Sequence, residues 1–239
     1  MDTRIYVITH KKCSLPEEEG YYPLQVGASM HEDLGFEKDN TGDNISEKND
    51  SYCELTGMYW IWKNITCDNV GICHYRRYYS DENASRILHK REFEELLKNY
   101  DVLTAWSILT PVPLYPHFTI THRSPGMALC RREIEEYSPE FLEAFDRCMQ
   151  GKLMTGGNMI VAKKEIFDEY CEWLFHILFR VEKEIHPELI TDSYQKRIMG
   201  FLGERLMRVW LMMQDFRVKE VRMVQTDAED SKIPFGRDI

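Results

Sequence analysis

The segment His74-Tyr-Arg-Arg-Tyr-Tyr79 places two adjacent arginines directly behind the apolar run Val70-Gly-Ile-Cys73. Guanidinium groups are expensive to hold beside a core unless they meet anions. Their planar forks match phosphate oxygens, and the three tyrosines offer faces to a base or a sugar. The plainer reading is an ion-paired surface turn. Three further clusters sit beside expected strands. Thr9, His10, Lys11 and Lys12 follow the run Ile5–Thr9. Gly156, Gly157 and Asn158 precede Met159: paired glycines let backbone approach a ligand, and an asparagine donates and accepts toward hydroxyls, against the plainer reading of a tight turn. Glu204 stands with Arg205 and Arg208, either as a base or positioning carboxylate or as an ordinary i, i+4 pair with Arg208. His117 and His122, in a proline-rich stretch, are candidates for a second substrate, although loop histidines usually serve no such role.

The elements that must position these residues follow from hydrophobic period. Strands are expected at Ile5–Thr9, Val70–Cys73, Asp101–Trp106 and Met159–Ala162, with a last one over Val218–Val224. Helices are expected over Tyr52–Lys63, with a Ser51–Glu54 capping box, over Arg91–Asn99, over Glu133–Gln150 with a break near Pro139, and over Glu165–Ile185 and Tyr194–Gln214. Lys11–Asp50 reads as a long polar loop, of the kind that usually carries function. Its end, Thr41–Asn49, is dense in Asp, Asn and Ser, which bond polar ligands and turns alike. Pro111, Pro113 and Pro116 predict an irregular loop up to His122. Strands alternating with helices predict an α/β fold: a mostly parallel, Rossmann-like central sheet flanked by helices, with ligands at the carboxyl ends of its strands.

The 239 residues are read as a single domain, about 1–106 binding nucleotide and about 107–239 holding donor sugar and acceptor. With 43% apolar residues the chain is a folded one. Forty acids against thirty bases give a net charge of -10, which argues against nucleic acid as a partner. An anionic ligand must then be met by a local cluster. Seven cysteines without zinc spacing, and no leader or membrane span, predict reduced thiols in the cytoplasm. There is no Asp-x-Asp, P-loop, GxGxxG, Gly-x-Ser-x-Gly or His-Glu-x-x-His motif.

The blocks Ile5-Tyr-Val-Ile-Thr-His10, Val26-Gly-Ala28, Asp43-Asn-Ile-Ser46, Lys48-Asn49, Tyr52-Cys-Glu-Leu-Thr56 and Tyr59-Trp-Ile-Trp-Lys-Asn64 occur in order along the chain. They continue with Gly71-Ile-Cys-His-Tyr-Arg-Arg-Tyr-Tyr79, Asn158-Met159, Phe167–Phe175 and Gly203-Glu-Arg-Leu206. In these the chain resembles bacterial capsular and exopolysaccharide biosynthesis proteins that carry a long-unassigned domain now regarded as a glycosyltransferase. The resemblance implies a GT-A-like fold and transfer of a sugar from a nucleoside diphosphate, UDP foremost, to a lipid-linked saccharide or oligosaccharide. It places the protein at the inner face of the membrane, in peripheral contact through a basic patch such as Arg123, Arg131 and Arg132.

On that reading Thr9, His10, Lys11, Asp43, Asn44, Ser46 and Asn49 hold the nucleotide. Arg76 and Arg77 hold the diphosphate, Gly157, Asn158 and Met159 the donor sugar, and Glu204 and His74 are the catalytic pair. Where the GT-A class usually carries Asp-x-Asp, this sequence carries His74-Tyr-Arg-Arg77. Direct neutralisation by arginine is therefore expected, with manganese or magnesium as the alternative and no residue assigned to a metal. A non-catalytic module that binds a nucleotide sugar is the other class of function.

Overall fold

A computed structural model describes residues 1–16 and 18–226. Strand β1 (Thr3–Thr9) sends Ile5 and Val7 into one apolar cluster and Tyr6 and Ile8 into another, on the two faces of the sheet. This is the period-two consequence of pleating. Two strands lie inside the segment expected to be a loop, β2 (Tyr21–Gln25) and the two-residue β3 (Glu37–Lys38). Pro23 masks β2 in the sequence, because proline normally argues against a paired strand. The helix expected over Tyr52–Lys63 is two, α1 (Asn49–Tyr52) and α2 (Leu55–Asn64). They part at Cys53, whose φ is 52°. The expected capping box is absent, since neither helix has a side-chain cap.

Next come β4 (Asn69–His74), β5 (Arg77–Tyr79), α3 (Lys90–Asn99), β6 (Val102–Ala105) and β7 (Ser107–Leu109). The proline-rich segment is not irregular but forms α4 (Leu114–His122). Pro113 precedes its first residue and Pro116 lies in its first turn, where no intrahelical N–H is needed. Helices α5 (Gly126–Tyr137) and α6 (Leu142–Gln150) part at Pro139 as expected. The rest is β8 (Leu153–Thr155), β9 (Ile160–Lys163), α7 (Lys164–Ile185), α8 (Ser193–Lys196), α9 (Ile198–Met213), β10 (Val218–Val221) and β11 (Met223–Gln225).

The main sheet runs β10-β6-β9-β4-β1-β2-β3. Along this path all pairings are parallel except those of β9, which is antiparallel to β4 and β6; β5 joins the same sheet antiparallel to β4, and β11 antiparallel to β5. The mostly parallel α/β sheet is therefore as expected. Helices α2, α7 and α9 cover one face and α3 the other. The carboxyl ends of β1, β4 and β6 and the amino end of β9 share one edge of the sheet. Among the described residues no helix is long and apolar enough to cross a membrane, and all seven cysteines are free.

Candidate active site

A cavity of about 630 Å³ opens at that edge, within the usual size of ligand pockets. Its wall joins the end of β1 (Ile8, His10, Lys11), the α1–α2 junction (Asn49, Asp50, Cys53, Glu54), the β4–β5 turn (His74 to Arg77) and α8–α9 (Ser193, Arg197, Gly200, Phe201, Glu204).

The β4–β5 turn is built by pairing. His74 and Arg77 are the cross-strand partners that close it, so their side chains share a face and Tyr75 and Arg76 form its tip. The tip is pinned on both sides: Tyr75 N–H donates to the Ile8 carbonyl at 3.1 Å, and Thr226 N–H to the Arg76 carbonyl at 2.9 Å. The Tyr75 ring then gathers cations. The Arg76 guanidinium lies 5.0 Å and Lys11 Nζ 5.8 Å from its centre, and His10 meets its edge at 5.5 Å. Among the described residues Lys11, Arg76, Arg77 and Arg197 pair with no carboxylate, whereas Asp50 on the same rim is taken by Lys196 at 2.9 Å. Arg76 Nε is buried without a hydrogen-bond partner among the described residues. The result is a cationic wall in an acidic molecule.

The same cavity is lined by two carboxylates. Gly157 N–H donates to Glu204 Oε1 at 2.9 Å, and Asn158 Nδ2 donates to Glu54 Oε1 at 2.7 Å and to the Gly200 carbonyl at 3.1 Å. Two successive residues thus fix carboxylates from α9 and from the α1–α2 junction. The turn that allows this is left-handed at both positions, with φ of 75° at Gly157 and 49° at Asn158. A glycine takes that conformation freely and an asparagine tolerates it. Cys53, next to Glu54, is also left-handed, so strain sits on both sides of one contact. The fit is tight: a Cβ on Gly203 would stand 2.9 Å from Asn158 Oδ1.

Burial pushes the Glu204 carboxyl up, and the nearby charge of Glu54 adds to the push. The Gly157 N–H, Arg205 and Arg77 oppose it. Burial holds His74 below its usual value, against the pull of Glu54. Its imidazole is therefore neutral near pH 7, with Nε2 buried and unpartnered among the described residues. Burial, and then Lys11, lower His10 in the same sense.

Of the residues singled out in the sequence, His10, Lys11, Asn49, His74, Arg76, Arg77 and Glu204 line this one cavity. Gly157 and Asn158 lie behind it and hold its carboxylates. Thr9 is buried and shapes the loop, its hydroxyl donating to the Lys11 carbonyl at 2.6 Å and accepting from the Lys11 N–H at 3.2 Å. Asp43, Asn44 and Ser46 are not in the wall. Asp43 accepts from Tyr59 and Asn44 bonds its own loop. Ser46 donates to Asp39, which also accepts from the Gly27 and Ala28 N–H groups at 3.0 and 3.1 Å. These residues shape the loop after β3. Met159 is fully buried in the core cluster on the α3 face, so it supports the turn from behind. Glu204 does not pair with Arg208, which donates to Ser107 Oγ at 3.2 Å. Arg131 and Arg132, offered as a membrane patch, are engaged by Asp146 and Glu135 and by Glu133 and Glu184.

Two cavity residues were given no role from the sequence. Glu54 was absorbed by an apparent capping motif. Arg197 was read only as sharing a helical face with Phe201 and Glu204. No three His, Cys, Asp or Glu side chains converge as a cation site among the described residues, and Glu54 and Glu204 already accept from Asn158 and Gly157. This donor set does not fit a resident metal.

The chain is similar to the bifunctional glycosyltransferase WbbM in its apo structure, with a TM-score of 0.85 and 27% identity over 95% of this chain. It spans 46% of that protein. The likeness establishes the GT-A-type sheet as the fold. No curated protein matches the chain. The profile of DUF4422, a domain of unknown function, matches residues 4–215, and the chain belongs to that family.

Proposed function

We propose that the protein transfers a sugar from a UDP-linked donor to a saccharide acceptor. The observation that carries this is a group of three cations without carboxylate partners among the described residues, Lys11, Arg76 and Arg77, lining the same cavity as two fixed carboxylates. A diphosphate supplies the anion that wall lacks, and each charge-assisted hydrogen bond to it contributes about 1.5–3 kcal/mol. Ile8, His10 and Val26 face the nucleoside. Arg76 and Arg77 neutralise the leaving diphosphate in place of a divalent cation.

In the transfer, the bond between the anomeric carbon and the phosphate oxygen breaks, and its electron pair leaves with UDP. An acceptor oxygen forms the new bond to that carbon. For an inverting displacement the acceptor proton passes to Glu204, whose raised pKa suits a base. Neutral His74 donates toward the departing phosphate oxygen. The acceptor in this reading is a lipid-linked saccharide of capsular or exopolysaccharide assembly, which the sequence resemblance supports.

The test is UDP release from a panel of UDP-, GDP- and CMP-sugars, with and without added saccharide. UDP-sugars alone are expected to turn over. Glu204→Gln should retain UDP affinity within about twofold and lose 10²–10⁴-fold in turnover, the usual contribution of a general base. UDP binding with no turnover of any donor by the native chain would leave a binding module. Equal loss of affinity and rate in the variant would remove Glu204 from the base role.

A further inference from the structure

The cavity ends, on the side of α8–α9, in an aromatic stack that neither the diphosphate wall nor the carboxylate pair uses. Phe201 lines the cavity and is sandwiched against His122, with ring centres 4.2 Å apart and planes 25° from parallel. Tyr194 leans on Phe201 at 5.0 Å and on His122 at 6.0 Å, yet keeps 47% of its surface exposed. The Arg197 guanidinium stands 5.4 Å from the Phe201 ring centre on the same rim, tied to the Cys53 sulfur and to no carboxylate among the described residues.

Core packing explains this rim only in part: Phe201 packs on the core yet still lines the cavity, and Tyr194 stays half exposed. A large ring at the lip of a polar cavity exposes apolar surface that a neighbouring core would have covered. The ring is nevertheless held in a fixed pose. His122 is buried, and burial together with Arg205 pushes its pKa down to about 4. The base of the stack is thus an uncharged ring. Gln195 anchors the short helix α8 by donating to the Thr121 carbonyl at 3.0 Å, and Asp192 caps it by accepting from the Tyr194 and Gln195 N–H groups. A rigid aromatic face beside a free guanidinium presents an apolar plane with forked donors at its edge. The C–H face of a pyranose and its equatorial hydroxyls have that same division.

We propose that the Tyr194–Phe201–Arg197 rim is the acceptor subsite, and that its ligand is the terminal pyranose of the acceptor saccharide. This rests on the glycosyltransferase reading. Glu204 follows Phe201 by three residues on α9, one turn further into the cavity. A sugar stacked on the rim therefore offers its hydroxyls toward the proposed base.

The experiment is saturation-transfer NMR on the full chain with UDP bound. Methyl β-glucopyranoside, methyl β-galactopyranoside and methyl N-acetyl-β-glucosaminide are the probes. At least one should receive saturation on its ring protons. That signal should fall at least fivefold in Tyr194→Ala, return in Tyr194→Phe, and weaken in Arg197→Ala. Tyr194 is largely exposed on a four-residue helix, so its replacement leaves the fold intact, and UDP affinity should stay within about twofold. Saturation unchanged in Tyr194→Ala would overturn the proposal, as would UDP binding with no transfer to any of the three glycosides. Failure of UDP itself to bind would instead reject the underlying glycosyltransferase reading.

Discussion

The Asn158 carboxamide donates to Glu54 Oε1 at 2.7 Å while the preceding N–H, that of Gly157, holds Glu204. The sheet edge thereby fixes two carboxylates from one turn. Removing the amide leaves Glu54 without its donor beside a second carboxylate. Asn158→Ala should lower turnover about 10–100-fold with UDP affinity within about threefold, since the cationic wall is untouched. It should also cost about 1–3 kcal/mol of stability for the orphaned buried acceptors. Steady-state kinetics with calorimetric UDP binding separates the two effects. A matching loss in affinity would show that the turn contacts the nucleotide directly.

The same pair sets the pH profile. Burial and the charge of Glu54 raise Glu204. It therefore stays protonated over a window above the usual carboxylate range, and a protonated carboxyl accepts no proton. Turnover should fall as pH drops through that raised value, with an acid limb lying above the ordinary glutamate range. Glu54→Gln removes the like charge, lowers the pKa of Glu204, and should move the limb toward acid. A limb that stays in place, or moves toward alkaline pH, contradicts the coupling.

Asp39 makes a separate, structural prediction. It is fully buried and accepts from two backbone N–H groups and from Ser46. Asp39→Ala orphans all three donors. It should lower the urea midpoint and cost about 3 kcal/mol or more, at roughly 1–3 kcal/mol for each unsatisfied buried group. Ser46→Ala should cost about 1 kcal/mol, because the backbone donors keep the carboxylate.

Much of this site was legible because its parts sit where strands end. The Val70–Cys73 run announced β4, and the arginines behind it had to lie on the sheet edge. The paired glycines announced the turn before β9. The place of Glu54 was less visible. Ser51 and Glu54 have capping-box spacing, yet Cys53 turns left-handed and sends Glu54 into the cavity instead. Asp43, Asn44 and Ser46 looked like ligand residues because caps, turns and ligand contacts draw on the same side chains. Which use prevails depends on where α2 packs, a tertiary fact. Strand β2 was hidden by Pro23, and α4 by prolines that its first turn accommodates.

The arginine wall is tested most directly by titrating UDP calorimetrically into the native chain, Arg76→Ala and Arg77→Ala, each in excess chelator. UDP should bind the native chain without a divalent cation, and each variant should lose about 10–100-fold in affinity, the equivalent of one or two strong phosphate contacts at 1.4 kcal/mol per tenfold. Binding that appears only with manganese, or that survives both substitutions, would contradict the account.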